Sequence, residues 1–471
     1  MERFDYIIIG HGAAAFSAAI KADSMKINTA MIGKNETPGA LLGGTCVNVG
    51  CVPSKRLISV GEFIKNIKNS KYSGVKAKVE DINFQKIIMQ KDEIVNEFRA
   101  QKYTEVLKNL KHVTYINEFA SFKDKNTVIA GNKELYSKSI LIATGARSMV
   151  PNLAGIENVK YLTNEEALSI KHLPKSLIVV GGRALGLEFA QMFSNFGVKV
   201  TLLQRSSSII PAWEPEIINY LTQYLKQDGI EINTNVELKE IGEKQLKKYI
   251  KARVNGADKL FTADEILFAT GRKPNIEKLH LENPGIILGK QNFIKINNKM
   301  ETNVKGIYAA GDVTGEPMLE TVAAKQGNLA TQNIFKNANK SINFNEIPFA
   351  IFTMPEAAKV GLTDEQVNGK GIKCSCNTIL FSMIPKATII GDERGLIKIV
   401  INNNTKQILG VSILSRNAAD LIAEAALAVK FKLKIDDIID TVHVFPTLSE
   451  AIKLASQNFY QDISKLSCCT I

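Results

Sequence analysis

Residues 6–15 read YIIIGHGAAA, an apolar run that leads directly into glycine and other small residues. Continuous apolar runs without polar alternation are typical of strands buried on both faces of a parallel sheet. Gly10, Gly12, Ala14 and Ala15 belong to a G-x-G-x-x-A turn. Small side chains there allow backbone N–H groups at a helix N-terminus to approach a pyrophosphate. The stretch therefore predicts an α/β fold that binds a dinucleotide.

The same arrangement occurs a second time along the chain. Another strand-like run ends at Gly181 and opens a helix, and each unit has a later run ending in Ala-Thr-Gly, at Gly145 and at Gly271. This repetition predicts two doubly wound units in tandem. The second unit is inserted into the first if the strand at 306–312 returns to the first sheet. The stretch 65–125 favours helices.

After about residue 344 the pattern changes. Alternating runs at 396–401 and 408–413 are joined by NNNTK, which predicts a hairpin. A helix is expected at about 418–432 and another from near Thr447, where apolar residues fall on one stripe. The region predicts an α+β domain with a mixed or antiparallel sheet and a surface for dimerisation.

Composition and charge limit the class of protein. The 471 residues give room for about three domains. Although 59 basic and 47 acidic residues leave a charge of +12, the lysines are scattered among acids, so we expect no nucleic-acid partner. No apolar segment approaches ~18 residues and the opening residues lack a signal-peptide pattern, so we expect a cytoplasmic protein without a membrane partner. Six cysteines fit a reducing cytosol.

The two nucleotide loops differ in their expected ribose contacts. In the first unit, Gly33-Lys34 stands where an acid usually binds the ribose, about 20 residues after the loop. In the second unit, the strand after the loop ends in Gln204-Arg205-Ser206, without a carboxylate. Arg205 and the nearby serines suit a 2′-phosphate, which favours NADPH over NADH.

Two cysteines lie close together in GGTCVNVGCVPSK, residues 43–55. Cα atoms five residues apart in an ideal helix are about 8.6 Å apart, from a ~1.5 Å rise and a ~2.3 Å radius. A disulfide tolerates at most about 6.8 Å. Joining Cys46 to Cys51 thus requires a distorted turn, which Gly44 and Gly50 ease. Such a strained, accessible bond would be redox-active; the alternative is a pair of buried free thiols.

These motifs resemble those of the flavin-dependent pyridine nucleotide-disulfide oxidoreductases, over essentially the whole chain. Residues 44–55 are similar to the redox motif of that family, and Ala310-Gly311-Asp312 to its flavin ribityl-binding motif. The resemblance implies FAD at the first loop and a nicotinamide cofactor at the second. It implies contacts to these cofactors from Gly10, Gly12, Ala14, Ala15, Gly44, Thr45, Lys55, Ala120, Gly145, Gly181, Gly186, Arg205, Gly271, Gly311 and Asp312.

The resemblance also implies a domain organisation. Residues 1–150 and 276–343 would bind FAD, residues 151–275 would bind NAD(P)H, and residues 344–471 would form a dimerisation domain with a Cys-Cys tail. The expected fold class is α/β, with two tandem doubly wound, Rossmann-like nucleotide-binding domains followed by a C-terminal α+β domain.

Four residues around the redox motif acquire roles from the same resemblance. Cys51 would lie next to the flavin isoalloxazine, and Cys46 would be the thiol that exchanges with substrate. Lys55 would sit by the flavin N5 and pair with Glu188, because an unpaired buried lysine would lose its proton.

The C-terminal segment distinguishes branches of the family. Members that act on organic disulfides resemble one another in a His-Pro-Thr segment whose histidine is a general acid–base. Here Phe445 stands in that place, and His443, two residues earlier, is interpreted as a polar or packing residue. Cys468 and Cys469 near the end of the chain can act as soft thiolate ligands.

These features are closest to the branch that reduces mercury(II). The resemblance implies a homodimer with a shared active site, in which Cys468 and Cys469 of one subunit pass Hg(II) to Cys46 and Cys51 of the other. One alternative is a dihydrolipoamide dehydrogenase-like or other disulfide reductase. Another is a non-catalytic flavoprotein that sequesters metal or binds nucleic acid.

A third cysteine pair lies outside these motifs. Cys374 and Cys376 form a C-x-C pattern on an expected strand, where both side chains face the same side. Auxiliary metal binding and ordinary packing of small residues in a sheet are both open interpretations.

Overall fold

The first parallel sheet is built from the glycine-ended apolar runs, in a computed structural model that describes residues 1–34, 42–69, 71–72, 74–315 and 317–465. Its strands lie in the spatial order Ile307–Ala309, Ile140–Ile142, Tyr6–Ile9, Thr29–Ile32 and Val113–Ile116. Because Ile307–Ala309 pairs with Ile140–Ile142, the chain returns to this sheet after building the second one. The loops after these strands share one edge of the sheet.

Two helices cover one face of this sheet. Ala13–Ser24 follows the first strand, and Glu320–Lys336 packs directly against it. A Cβ on Gly327 would overlap the carbonyl oxygen of Ala14, so the glycine permits the close approach of the two helices. This packing fixes the N-terminus of the first helix beside the glycine loop.

The prediction of helices over 65–125 is correct only in part. The helical elements in this range are the end of Cys51–Lys68, Phe84–Arg99, the π-helical Ala100–Thr104 and Glu105–Asn109; the short helix Thr45–Val49 precedes them. Residues 113–116 instead form the edge strand of the first sheet, because they pair in register with Thr29–Ile32. A smaller sheet beside it contains Glu2–Arg3, Lys133–Tyr136, Thr127–Ala130 and Ala120–Phe122.

The second unit repeats the parallel arrangement. Its strands lie in the order Glu231–Asn233, Lys199–Leu203, Ser176–Val180 and Glu265–Phe268. Its helices are Asn164–Ala167, Ala184–Asn195 and Pro215–Gln227. An antiparallel sheet of Val236–Lys244, Lys247–Val254 and Ala257–Ala263 precedes the last strand. The chain enters and leaves this unit through a ribbon in which Ala146–Ser148 pairs with Arg272–Pro274.

The C-terminal region contains one five-stranded antiparallel sheet. Its strands lie in the order Phe349–Ile351, Glu356–Gly361, Ile408–Ser415, Leu396–Asn402 and Cys374–Leu380. Its helices are Asp364–Gly369, Pro385–Ile389, Ala418–Phe431, Ile435–Asp440 and Glu450–Gln457. Short 3-10 helices occur in all three parts of the chain, at Ile156–Asn158, Lys290–Asn292, Asp312–Thr314, Phe344–Glu346, Phe381–Met383 and Ile463–Lys465. The predicted fold class, two tandem doubly wound domains followed by an α+β domain, is confirmed.

A buried ion cluster joins the second unit to the C-terminal sheet. The Lys398 side chain is only 4% exposed, and its Nζ is 2.9 Å from Glu214 Oε2 and 3.0 Å from Glu216 Oε1. Burial acts to lower the pKa of Lys398, but the hydrogen bonds to the two glutamates outweigh it and raise the pKa. The ammonium therefore remains charged inside the junction.

Among the residues in the described ranges, none of the helices has the length and apolar character needed to cross a membrane.

Candidate active site

The redox segment consists of two helical stretches separated by a break at Gly50. Thr45–Val49 forms the first and Cys51–Lys68 the second, with Gly50 at φ −133° and ψ −116°. A Cβ on Gly50 would lie 2.7 Å from the Thr45 carbonyl oxygen and 3.1 Å from the Cys46 Cα. Only glycine permits this close approach. The distortion expected between the two cysteines is therefore located at this residue.

The two thiols interact directly and share their charge unequally. A hydrogen bond from Cys46 and, to a smaller extent, the charge of Lys55 together lower the pKa of Cys51 to about 7, against the effect of burial. The same hydrogen bond, together with burial, raises the pKa of Cys46. Around neutral pH the pair thus carries its negative charge on Cys51, and Cys46 keeps its proton.

This charge distribution predicts the order in which the cysteines react. In the reduced protein, alkylation of Cys51 by iodoacetamide is expected to rise with a midpoint near pH 7, because the thiolate is the nucleophile. Cys376 is the internal control: burial and Asp364 raise its pKa to about 11, so it should react slowly throughout. Peptide mapping by mass spectrometry at successive pH values measures both rates. Equal pH profiles at the two sites would contradict the assignment.

Lys55 lies four residues after Cys51 and is held by a carboxylate. Its Nζ is 2.8 Å from Glu188 Oε2 and 4.6 Å from the centroid of the Phe352 ring. The other oxygen of Glu188 accepts the backbone N–H of Phe352 at 3.0 Å. Because the Glu188 side chain is 7% exposed, this ion pair holds the lysine in one position and keeps a positive charge close to the thiols.

Two asparagines hold the redox segment in place. The side-chain amide of Asn48 donates to the carbonyl oxygens of Gly43 and Gly44 at 3.2 and 3.1 Å, and its oxygen accepts from Arg99 Nε at 2.9 Å. Asn164 donates to the Val49 carbonyl oxygen at 2.6 Å. Sequence reasoning missed these contacts, since the motif gives no sign of partners distant along the chain.

Two further residues near the thiols were also missed. The carboxylate of Glu320 raises the pKa of both cysteines. The phenol of Tyr103 responds to the same charges, and burial first of all raises its pKa to about 12. Glu320 begins the helix that packs on the first glycine loop, a position that only the tertiary structure reveals.

Loops after three neighbouring strands form a cradle at the edge of the first sheet. Gly10 has φ +135°, and a Cβ there would overlap the Ala143 carbonyl oxygen. Gly145 faces open space, and Gly311 donates its N–H to Gln326 Oε1 at 2.6 Å. The Thr144 hydroxyl is buried without a hydrogen-bond partner among the described residues. A narrow cradle with an unsatisfied polar group fits a bound dinucleotide such as FAD.

The redox segment approaches this loop through glycine contacts. A Cβ on Gly44 would lie 3.0 Å from the Gly12 Cα. Ala14 and Ala15 are buried in the first turn of the helix that begins at Ala13. The redox segment therefore packs directly against the first glycine loop.

A polar cluster connects the redox segment to the ribityl-binding motif. Thr45 Oγ1 accepts from Arg272 Nη2 at 3.1 Å, and Arg272 Nε is 3.6 Å from Asp312 Oδ2. Burial raises the pKa of Asp312, and Arg272 opposes that effect. The buried Arg272 Nε has no hydrogen bond within the described part of the chain. These groups could bind the hydroxyls of a ribityl chain; Arg272 is an addition to the predicted set.

The first unit lacks an acidic residue at Gly33 to bind the ribose, and a carboxylate near the adjacent edge strand is a candidate replacement. Glu118 follows the strand Val113–Ile116, and its Oε2 lies 3.1 Å from Lys34 Nζ. It brings a carboxylate to the edge where Gly33 leaves none. Ala120 is a buried core residue of the adjacent small sheet and packs in the same cluster as Ile9.

The second glycine loop has a similar cradle. A Cβ on Gly181 or Gly186 would overlap backbone of the loop and its neighbouring strand, and Gly271, at φ +119°, follows that strand. Gln204 Oε1 accepts the Gly182 N–H at 2.9 Å, which closes the loop. Arg205 follows and is exposed to solvent.

The C-terminal segment presents an apolar residue where a proton carrier is expected in disulfide-reducing relatives. Phe445 is 52% exposed. His443 is engaged elsewhere: Nε2 lies 2.9 Å from Glu424 Oε1, and Nδ1 lies 2.9 Å from the Thr441 carbonyl oxygen. Because each ring nitrogen lies within hydrogen-bond distance of a protein oxygen, His443 is a positioned polar residue. Cys468 and Cys469 lie outside the described residues.

The chain belongs to the pyridine nucleotide-disulphide oxidoreductase family. Residues 4–327 match the family, and residues 347–456 match its dimerisation domain, which implies a homodimer. The family uses FAD and NAD(P)H. The protein is a flavoprotein disulfide reductase with the redox-active pair Cys46 and Cys51.

Individual relatives resemble this chain over nearly its whole length. A mercuric reductase from Lysinibacillus sphaericus is 38% identical over 468 residues, covering 99% of this chain and 85% of the relative. One from Streptomyces lividans is 34% identical, covering 99% and 98%. A solved Cu(II) complex of the HOCl-induced flavoprotein disulfide reductase RclA from Escherichia coli is 27% identical with a TM-score of 0.86, covering 97% of this chain and 100% of that one.

Proposed function

We propose that this protein is a cytoplasmic mercury(II) reductase that uses NADPH. The proposal rests on a Cys51 whose pKa is lowered by the Cys46 hydrogen bond and by Lys55, combined with phenylalanine at position 445, where members of the family that reduce organic disulfides have a proton carrier. A metal ion leaves no thiol to protonate, so the reaction does not require that carrier. The names of the relatives at 34–38% identity support the same substrate.

In the proposed reaction the cysteines bind the metal, and a lysine stabilises their negative charge. Cys46 and Cys51 would hold Hg(II) as a two-coordinate dithiolate, since soft cations select thiolates. Cys468 and Cys469 of the partner subunit would deliver the ion by stepwise thiolate exchange, so that the metal stays ligated. Lys55, fixed by Glu188, stabilises negative charge on the dithiol.

Reduction of one Hg(II) ion requires two electrons, which one NADPH supplies. NADPH gives up a hydride and becomes NADP⁺, Hg(II) gains the two electrons and becomes Hg(0), and one proton is released. Bound FAD supplies the two-electron chemistry that connects the nicotinamide to the dithiol. The first cradle, with Thr45, Thr144 and Asp312 at its edge, would hold it.

Anaerobic titration of the flavin-loaded dimer tests the substrate. We expect NADPH to reduce the protein, and added Hg(II) to cause stoichiometric NADPH oxidation with loss of volatile mercury. Replacing both Cys468 and Cys469 by serine should weaken turnover of mercury presented as a thiol complex, because the delivery ligands are removed. Ser375→Ala, at an exposed position of the C-terminal sheet, is the control and should turn over normally.

Two results would contradict the proposal. One is the absence of metal-dependent NADPH oxidation in a flavin-loaded preparation. The other is steady NAD⁺-linked oxidation of dihydrolipoamide, which requires a proton carrier at the place of Phe445 and would favour the disulfide-reductase alternative.

The preference for NADPH rests on Arg205. Gln204 is engaged with the loop and with Ser206, whereas Arg205, the next residue, is exposed and offers a cation to a 2′-phosphate. Arg205→Ala should weaken NADPH binding about 10- to 100-fold, the loss of charged hydrogen bonds worth about 1.5–3 kcal/mol, with little effect on NADH. Stopped-flow flavin reduction measures both affinities without metal. The control is Arg253→Ala, an exposed arginine paired with Asp258; equal losses for both cofactors would exclude the role of Arg205.

A further inference from the structure

A second dithiol lies on the C-terminal sheet. Cys374 and Cys376 begin the strand Cys374–Leu380, which is an edge strand. Their backbone partners, Asn402 and Val400, are also two residues apart, in an unbroken antiparallel register. Both thiols therefore point to the same face of the sheet.

One carboxylate organises these two thiols. Cys374 Sγ donates to Asp364 Oδ1 at 3.5 Å, and Cys376 Sγ donates to Asp364 Oδ2 at 3.4 Å. Cys374 also lies 3.4 Å from Asn368 Oδ1. Asp364 and Asn368 belong to the helix Asp364–Gly369, which covers this face. A packing role alone requires no such convergence of both S–H groups on one anion.

The surroundings favour a cation that can reach the thiols from solvent. Asp364 and Asn368 line a cavity of about 240 Å³ together with Glu214, Glu216 and Lys398. The Lys398 ammonium is hydrogen-bonded to the two glutamates and lies 3.9 Å from Asp364 Oδ2, so one positive charge faces three carboxylates. Cys376 is exposed and Cys374 is half-buried. The local charge is thus negative, and the available ligand atoms are sulfur and oxygen.

We infer that Cys374 and Cys376 form a binding site for a soft, two-coordinate cation such as Hg(II). Neighbours on one face of a strand are about 6.8 Å apart at Cα, the upper limit for a disulfide. Two opposed thiolate–metal bonds of about 2.3 Å each span roughly 4.6 Å between sulfurs, which same-face side chains can provide by rotation. The regular strand thus accommodates a bridging metal more easily than a disulfide.

The proposed site has two protein ligands and is not a preformed coordination sphere. Within the described ranges, no three side chains of His, Cys, Asp or Glu are arranged to hold a metal ion. Binding therefore requires both thiols to leave Asp364 and to lose their protons. Burial raises the pKa of each thiol, and so does the hydrogen bond to Asp364; at Cys376 the charge of Lys398 acts in the opposite direction but does not cancel these effects. Protons therefore compete with the metal. Affinity should rise by up to about 100-fold per pH unit near neutrality, about tenfold for each proton released.

The test isolates this pair in the full-length, flavin-loaded chain. Serine replaces the other four of the six cysteines, Cys46, Cys51, Cys468 and Cys469, and Hg(II) chloride is added with excess monothiol. After gel filtration we expect one mercury per chain and the loss of two reactive thiols. No retained mercury, or retention that persists after Cys374→Ser and Cys376→Ser, would overturn the site.

A transposed variant provides the matched control. Ser375→Cys combined with Cys376→Ser keeps two thiols on the strand but turns them to opposite faces. We expect the monothiol concentration that removes half the mercury to fall at least about tenfold, because the chelate is lost. Equal retention would refute the inference that same-face geometry creates the site. The inference does not rest on the proposed function, since the isolated pair binds without reducing the metal.

Discussion

Replacing Cys46 by serine is expected to reduce Hg(II)-dependent NADPH oxidation by about three orders of magnitude or more, to the background rate. A serine hydroxyl is a hard, protonated ligand at neutral pH, so it cannot hold a soft cation with Cys51 or complete a disulfide. The hydrogen bond from Cys46 also lowers the Cys51 pKa, and a hydroxyl can still donate it. The defect should therefore lie in metal turnover, while NADPH still reduces the flavin.

The two cysteines are distinguishable by spectroscopy. Cys46→Ser should retain long-wavelength thiolate-to-flavin absorption, since Cys51 keeps its charge, whereas Cys51→Ser should lose it. Cys374→Ser serves as the control, because it removes a thiol from the C-terminal sheet. Full turnover by Cys46→Ser would contradict the role of Cys46 in the reaction. Retention of Hg(II) without NADPH oxidation, in the unsubstituted protein and in Cys46→Ser alike, would favour the non-catalytic metal-sequestering alternative.

Replacing Lys398 by methionine should lower the free energy of unfolding by about 3–5 kcal/mol. The change removes one partner of a buried ion pair and leaves the 2%-exposed Glu214 carboxylate without a counter-charge. Urea unfolding of the flavin-loaded protein at fixed protein concentration measures the effect, since dimers unfold with a concentration-dependent midpoint.

Two variants separate this charge effect from the loss of a long side chain. The exposed Lys305→Met should cost less than about 0.5 kcal/mol. Adding Glu214→Gln to Lys398→Met should recover part of the loss, because the unpaired charge disappears while an amide oxygen can still accept the Asp364 N–H. A cost for Lys398→Met no larger than that for Lys305→Met would contradict the importance of the buried pair.

Local patterns were sufficient to predict the strands that precede the glycine loops. All four residues of Tyr6–Ile9 are buried, and so are the four residues that follow Ser176 in Ser176–Val180, so a continuous apolar run identifies both strands. Residues 113–116 escaped the same reasoning because they are half-buried at an edge and gain strand structure only by pairing with Thr29–Ile32. Edge strands depend on tertiary contacts more than on local pattern.

The candidate site also contains features that the local sequence predicts and features that depend on tertiary contacts. The break near Cys46 and Cys51 follows from helix geometry and a local glycine. The partners that hold the segment, Arg99 and Asn164, lie 51 and 115 residues from their contacts in the chain. No local spacing encodes such distances, so these positioning residues required the structure.

The ribbon formed by Ala146–Ser148 and Arg272–Pro274 holds the entry and exit of the proposed NAD(P)H-binding domain side by side. An insertion whose ends are adjacent can be exchanged between proteins, or removed, without redirecting the host chain. The fold is therefore modular in an evolutionary sense. Replacement of the inserted domain alone could change the electron donor. The dithiol and the dimerisation surface lie outside that insertion and would be unchanged.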